Sequence, residues 1–227
     1  MVSEIYKKAF AVLTKKPLRL WGISLLSILV TSLGVTLFGI IPGVPIALAA
    51  VFAVAMAMIY LRGYRGGEVE AKDLFFVFSD GKLFVRVLGG MGWKMLWEFI
   101  FSLIPIVGWI FAIIKHYEYA LTPYILVTEP DVKATDALKL SKERTDGYKT
   151  QMFLADLAPV LVYVAAFILL ALSVIPFIGV LFAIAAVLLF ICAGIFLPLF
   201  YGLVHAAFYE EIMAKTAKDD ETPTVSE

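Results

Sequence analysis

Eight ionisable residues stand out by type and spacing: Lys94, Glu98, Lys115 and Glu118, then Asp156, His205, Glu210 and Glu211. Lys94 and Glu98 are four residues apart and Lys115 and Glu118 three apart, so on helices each pair meets along one face. Counted at 1.5 Å per residue from Pro105, Glu98 lies about 10 Å from the turn, and Lys94 and Lys115 about 15 Å, near the middle of a ~30 Å hydrocarbon layer. Facing lipid, each such charge costs at least ~2.5–3.5 kcal/mol, so these side chains must face protein, water or one another. A four-charge group across one hairpin can bind an ion, relay protons or receive a charged head group. A plainer reading stands beside it. If the hairpin is sunken or partly re-entrant, the same charges lie at the inner interface and snorkel, and Trp93, Trp97, Tyr117 and Tyr119 beside them fit an interfacial aromatic belt.

Asp156 precedes an apolar run containing Pro159 and reads as a helix cap at the inner edge of the membrane. His205, Tyr209, Glu210 and Glu211 follow Pro198 near the inner end of the last apolar run. An imidazole with carboxylates can do acid-base work, and a solvated helix end has the same composition. Arg62-Gly63-Tyr64-Arg65-Gly66-Gly67 lacks the G-x-x-x-x-G-K-[ST] pattern of a phosphate loop and reads as a basic inner loop. The two histidines, His116 and His205, and the single cysteine, Cys192, form no metal-ligand spacing and no disulfide framework. Cys192 lies in an apolar run and is expected to pack as an inert thiol. No G-x-S-x-G elbow or deaminase motif occurs, so no catalytic residue, cofactor or metal is assigned and the chain is not expected to be an enzyme.

What must position these residues follows from composition. Of the residues, 62% are apolar and 17% charged, and mean hydropathy is +0.93. That apolar excess does not fit one soluble core and points to a multi-pass membrane protein. Lys and Arg number 19 and so do Asp and Glu, so there is no global field to attract nucleic acid. Three apolar turns, Ile41-Pro42-Gly43-Val44, Ile104-Pro105-Ile106-Val107-Gly108 and Ile175-Pro176-Phe177-Ile178-Gly179, each break a helix and read as hairpin tips. The first two lie one period apart, and the same offset relates Glu68–Asp73 to Asp131–Asp136, which suggests a duplicated unit.

The expected fold is all-α: a polytopic membrane helical bundle of six spans, arranged as three helical hairpins joined by cytoplasmic amphipathic helices. The spans are 20 to 41, 44 to 61, 87 to 104, 106 to 125, 157 to 175 and 177 to 200. Residues 1–19 form an N-terminal interfacial helix with Ile5, Ala9, Val12 and Leu13 on one face, and the run from Leu20 is too long for a cleaved leader. The membrane domain covers 20–213, with hairpins 20–61, 87–125 and 157–213 and connectors 62–86 and 126–156. In the second connector a helix is expected from Pro130, with Ala134, Leu138 and Ser141 on one face. Residues 214–227 read as a disordered acidic tail. Ala49, Ala53 and Ala57 form a small-residue stripe suited to close helix contact. All Lys and Arg residues lie away from the three turns, which places both termini in the cytoplasm and the chain in the cytoplasmic membrane.

The stretch Glu118-Tyr119-Ala120-Leu121-Thr122-Pro123-Tyr124-Ile125-Leu126, then Pro130, Ala137-Leu138-Lys139-Leu140-Ser141 and Gly147-Tyr148-Lys149, resembles the bacterial membrane-protein family catalogued as domain of unknown function 975. Ala206-Ala207-Phe208-Tyr209-Glu210-Glu211 is similar to its closing motif. The resemblance implies a multi-pass membrane protein and carries over no activity. The expected function is non-enzymatic membrane organisation or partner binding, with the bilayer, other membrane proteins or a second copy as partners. The alternative is a small transporter or channel using the charged group of the middle hairpin, and a lipid-modifying enzyme ranks third.

Overall fold

Apolar runs of this length can satisfy their backbone in lipid only by coiling into helices, and helices are what the chain forms. A computed structural model describes residues 1–15, 17–105 and 108–221. Among the described residues there is no strand. The helices are α1 (Val2–Lys15), α2 (Pro17–Phe38), α3 (Val44–Tyr64), α4 (Gly81–Ser102), α5 (Gly108–Glu118), α6 (Thr122–Thr128), α7 (Asp136–Arg144), α8 (Lys149–Leu172) and α9 (Gly179–Glu221), with 3-10 turns over Ala71–Ser79 between α3 and α4. Four segments are long and apolar enough to cross a membrane: Arg19–Phe38, Val44–Tyr64, Lys149–Leu172 and Gly179–Lys218.

The first and third hairpins form as the turns predict. Gly43 takes a left-handed φ of 84°, which a glycine adopts without strain, and Pro45 sits in the first turn of α3. In α2 and α3, Leu20 approaches Gly63, Ser24 bonds Tyr60, and Leu48 approaches Gly34, so the two helices run antiparallel. In α8 and α9, Asp156 meets His205 and Phe167 meets Phe190, again antiparallel. Tyr60 meets Gly202 and Arg65 meets Glu210, so α3 and α9 run in the same direction and both hairpin tips point away from that contact.

The middle hairpin differs from the expectation. The segment expected as a fourth span, 106 to 125, contains α5, which at 11 residues rises about 16 Å, half the hydrocarbon thickness. A turn follows, and then the separate helix α6. Pro123 in the first turn of α6 is the cause, because its ring excludes the carbonyl four residues back and it has no N–H to donate. Backbone groups at this break are answered from α7. Ser141 Oγ donates to the Glu118 carbonyl at 2.8 Å and accepts from the Leu121 N–H at 3.1 Å, and Thr145 Oγ1 donates to the same carbonyl at 3.3 Å. Ile106 and Val107 of the middle turn lie outside the described residues.

Other boundaries move for local reasons. The helix expected from Pro130 begins at Asp136, because residues 130–135 form successive turns and Arg144 forks both oxygens of Glu129 beside them. Leu138 and Ser141 are buried as their shared face predicts. In the duplicated stretch, the Asp73 carboxylate accepts from the Glu70 N–H at 2.9 Å and opens 3-10 turns, whereas the second copy leads into α7. The tail expected to be disordered from 214 remains part of α9 to Glu221, with the Lys215 ammonium 5.6 Å from the Tyr148 ring, and residues 222–227 lie outside the described residues. Cys192, expected to pack inside, is exposed on α9.

The core sits at one end. Ala50 to Leu61 of α3, Leu121 to Leu126, Met152 and Ala155 of α8, and Leu199 to Ile212 of α9 supply most of its buried side chains. The half of each long hairpin nearer its tip is exposed and apolar, with Leu29, Leu33 and Leu37 on α2, Leu161, Phe167 and Ile168 on α8, and Leu181, Ile184 and Leu188 on α9. Helix α1 turns Ile5 and Ala9 onto the core, the Tyr6 hydroxyl donates to the Ala155 carbonyl, and Lys8 pairs with Glu211 at 2.8 Å. Its apolar stripe is therefore spent on protein.

A tight joint lies between α3 and α9, where a Cβ at Gly202 would lie 2.1 Å from the Tyr60 ring. Gly202→Ala is expected to lower stability by about 1–3 kcal/mol through overpacking. Gly194→Ala on the same helix meets nothing within 4 Å and is expected to leave stability unchanged or slightly higher. Thermal midpoints of the two variants in detergent check this, and equal midpoints contradict the joint.

Candidate functional site

The charges singled out by spacing resolve into separate groups. Lys115 Nζ donates to Glu118 Oε2 at 2.6 Å, and Lys149 Nζ from the start of α8 reaches Glu118 Oε1 at 3.2 Å. Lys115 also lies 5.0 Å from the Phe101 ring. Both oxygens of Glu118 are thus answered, and the group ties the base of the middle hairpin to α8. Its fit is that of a structural clasp.

Lys94 and Glu98 are arranged differently. The Lys94 side chain is 10% exposed, yet its ammonium stands 3.8 Å from Glu98 Oε1, beyond hydrogen-bond reach. His116 Nδ1 from α5 lies 3.5 Å from the same oxygen, and that oxygen is buried and accepts no hydrogen bond. Three ionisable groups therefore share one loose contact. A buried cation normally requires closer pairing to offset its lost hydration.

The space beside them is a cavity of about 190 Å³. Lys94 and His116 line one side of it, and Tyr201 and His205 of α9 line another. Ala53, Met56 and Ala57 of α3 form an apolar wall, and Pro123 and Tyr124 of α6 line a further side, leaving the cavity partly open. The break between α5 and α6 belongs to this geometry, since Ala120 and Pro123 on its two sides both line the cavity. The stripe Ala49, Ala53 and Ala57, expected to seat another helix, instead makes room: Ala53 is exposed, and Ala53 and Ala57 face the cavity.

Asp156, expected as a cap, lies within α8, which begins at Lys149, and its carboxylate faces α9. Asp156 Oδ1 is 3.0 Å from His205 Nε2, and the Tyr201 hydroxyl donates to Oδ2 at 3.3 Å. Tyr201 stacks on His205 with ring centroids 4.3 Å apart. His205 thus stands between the cavity and a buried carboxylate. Tyr6 of α1, outside the spanning segments, has its phenol pushed up, first by burial and then by the nearby Asp156 charge, so it remains a hydrogen-bond donor.

The remaining residues of the tail group point elsewhere. Glu210 pairs with Arg65 at 2.7 Å and Glu211 with Lys8, both on the surface, while the Tyr209 hydroxyl meets Thr128 Oγ1 at 3.0 Å. Of the stretch expected as a basic inner loop, Arg62 to Tyr64 belong to α3, and the stretch is pinned by Arg65 to Glu210 and by Arg62, which reaches Asp73 at 3.0 Å. Tyr201 was not singled out by sequence. Its one signal is its place four residues before His205, which puts both on one helix face. Among the described residues no cluster of three or more His, Cys, Asp and Glu is set to hold a metal ion.

Chemically, the cavity offers one buried cation, two imidazoles and two carboxylates behind them, which is the equipment for holding an anionic group and for moving a proton at its edge. Compared with family models, with curated proteins and with solved structures, the chain matches none.

The two lysine groups differ in what their removal should do. Glu118→Gln leaves Lys115 and Lys149 facing each other and is expected to cost about 1–3 kcal/mol of stability. Lys94→Met removes a poorly answered charge and is expected to leave the thermal midpoint unchanged or higher. A Lys94→Met midpoint as low as that of Glu118→Gln contradicts the distinction.

Proposed function

We propose that this protein is a membrane carrier for a small anionic solute, held in the cavity beside Lys94 and loaded from the cytoplasmic side. The carrying observation is the Lys94 ammonium, buried, facing open space and only loosely answered at 3.8 Å by Glu98. Groups that serve stability alone are paired as closely as Lys115, Glu118 and Lys149 are. This favours the transporter alternative over membrane organisation or partner binding, and it needs no catalytic step.

In this proposal the chain lies in the cytoplasmic membrane with both termini inside and belongs with the family of unknown function 975. Four helices cross. The middle hairpin dips into the inner leaflet rather than supplying a third pair of spans, because α5 is too short to cross and its contacts with α8 include Lys149 and Phe153 in the first turns of that helix. The cavity then opens in the inner half of the bilayer, where the core is packed.

Two measurements test this. Single cysteines at Ile40 and Val174, which are 93% and 83% exposed, in a Cys192→Ala background should label from outside, and one at Leu103 should not. Outside labelling at Leu103 supports six spans, and inside labelling at Ile40 overturns the orientation. Proteoliposomes given gradients of chloride, phosphate, lactate and benzoate in turn should carry at least one of them, with flux about tenfold lower in Lys94→Met, a change of about 1.4 kcal/mol in barrier. Background flux for all four, equal in both proteins, removes the carrier reading.

A further inference from the structure

The cavity also carries information about the shape and charge of its occupant. We infer that it takes a compact monocarboxylic acid, with the carboxylate on Lys94 and His116 and an apolar body against Ala53, Met56 and Ala57. This rests on the carrier reading for its setting and goes beyond it in naming the ligand class.

Charge selects a monoanion. Among the described residues Lys94 is the only lysine or arginine lining the cavity, and carboxylates stand behind it at Glu98 and behind His205 at Asp156. One negative charge on the ligand answers the ammonium. A second would face these two carboxylates without a cation of its own, as a phosphate dianion would.

Geometry selects an apolar body. Away from Lys94 and His116, the α3 wall of Ala53, Met56 and Ala57 presents no side-chain donor, and neither does Pro123. Tyr60, the remaining α3 residue at the cavity, has its hydroxyl bonded to Ser24 at 2.9 Å and presents its ring. A ligand with polar groups along the side that faces α3 would lose their hydration there without replacement. A hydrocarbon or aromatic body loses nothing and gains burial.

Volume selects a short one. A cavity of about 150 Å³ holds benzene, so the 190 Å³ here suits a ligand of roughly six to ten non-hydrogen atoms. Isobutyrate and benzoate fall in that range, while acetate underfills the space and a long-chain fatty acid exceeds it. Ala53 is the size gate, since it faces the cavity yet is exposed and outside the packed core, and a longer side chain there fills the space without disturbing the fold.

The test is calorimetric titration of the full chain in lipid nanodiscs with acetate, isobutyrate, benzoate, octanoate, decanoate and inorganic phosphate. Affinity should rise from acetate to benzoate and fall by decanoate, with phosphate weaker than benzoate. Lys94→Met should weaken benzoate at least tenfold. Ala53→Leu should weaken benzoate about tenfold and leave acetate within twofold, an outcome that a loss of folding would not produce. Affinity that still climbs at decanoate, phosphate that outcompetes every carboxylate, or equal losses for acetate and benzoate in Ala53→Leu overturns the inference. Lys94-dependent binding of benzoate by a chain that carries no flux upholds this ligand class and sinks the carrier reading, and Lys94-dependent phosphate flux without carboxylate binding does the reverse.

Discussion

An ammonium taken out of water costs several kcal/mol unless a partner meets it at close range, and this constraint gives the Lys94 cavity its meaning. Two lysine groups within the same hairpin answer it differently. At Glu118, two cations and one carboxylate close to hydrogen-bonding distance. At Lys94 the nearest carboxylate oxygen stands off at 3.8 Å and is shared with an imidazole. Selection for stability alone favours an apolar residue over a buried charge so loosely held, and on the carrier proposal the charge is kept for what enters the space beside it.

The architecture serves that space. The two long hairpins are packed at one end and apolar and exposed at the other, as suits helices whose outer halves face acyl chains rather than protein. At the packed end, the close approach of Gly202 to Tyr60 fixes α9 against α3 and sets the wall bearing Tyr201 and His205. The middle hairpin closes the opposite side. Its break at Pro123, stabilised by Ser141 and Thr145, lets one segment of chain turn through the wall, so that His116 on α5 and Tyr124 on α6 both reach the cavity. Helix α1 and the Arg65–Glu210 pair fasten the base from outside.

Much of this was legible in the sequence, and the parts that were not have physical causes. Helical hairpins at Gly43 and Pro176 follow from composition and turn chemistry, and the Lys94–Glu98 and Lys115–Glu118 pairings follow from helical spacing. Local spacing says nothing of contacts between distant helices. Asp156 and His205 lie 49 residues apart, and Asp156 resembled a cap because Pro159 follows it, whereas α8 begins earlier and tolerates the proline inside. The alanine stripe of α3 carried the right signal, small side chains on one face, but such a face admits a helix or a cavity equally well, and the choice depends on where α4, α5, α6 and α9 stand around it. The interruption at residues 119–121 was signalled by Pro123 and was masked by the apolar run around it.

The most direct measurement of the central claim is a distance inside the cavity. Solid-state NMR on the full chain in lipid, with lysine Nζ labelled with nitrogen-15 and benzoate labelled with carbon-13 at its carboxyl, reads the dipolar coupling between them. A contact within about 4 Å in the wild type that vanishes in Lys94→Met is the expected result. Absence of any coupling at saturating benzoate, or a coupling that survives the substitution, contradicts the account.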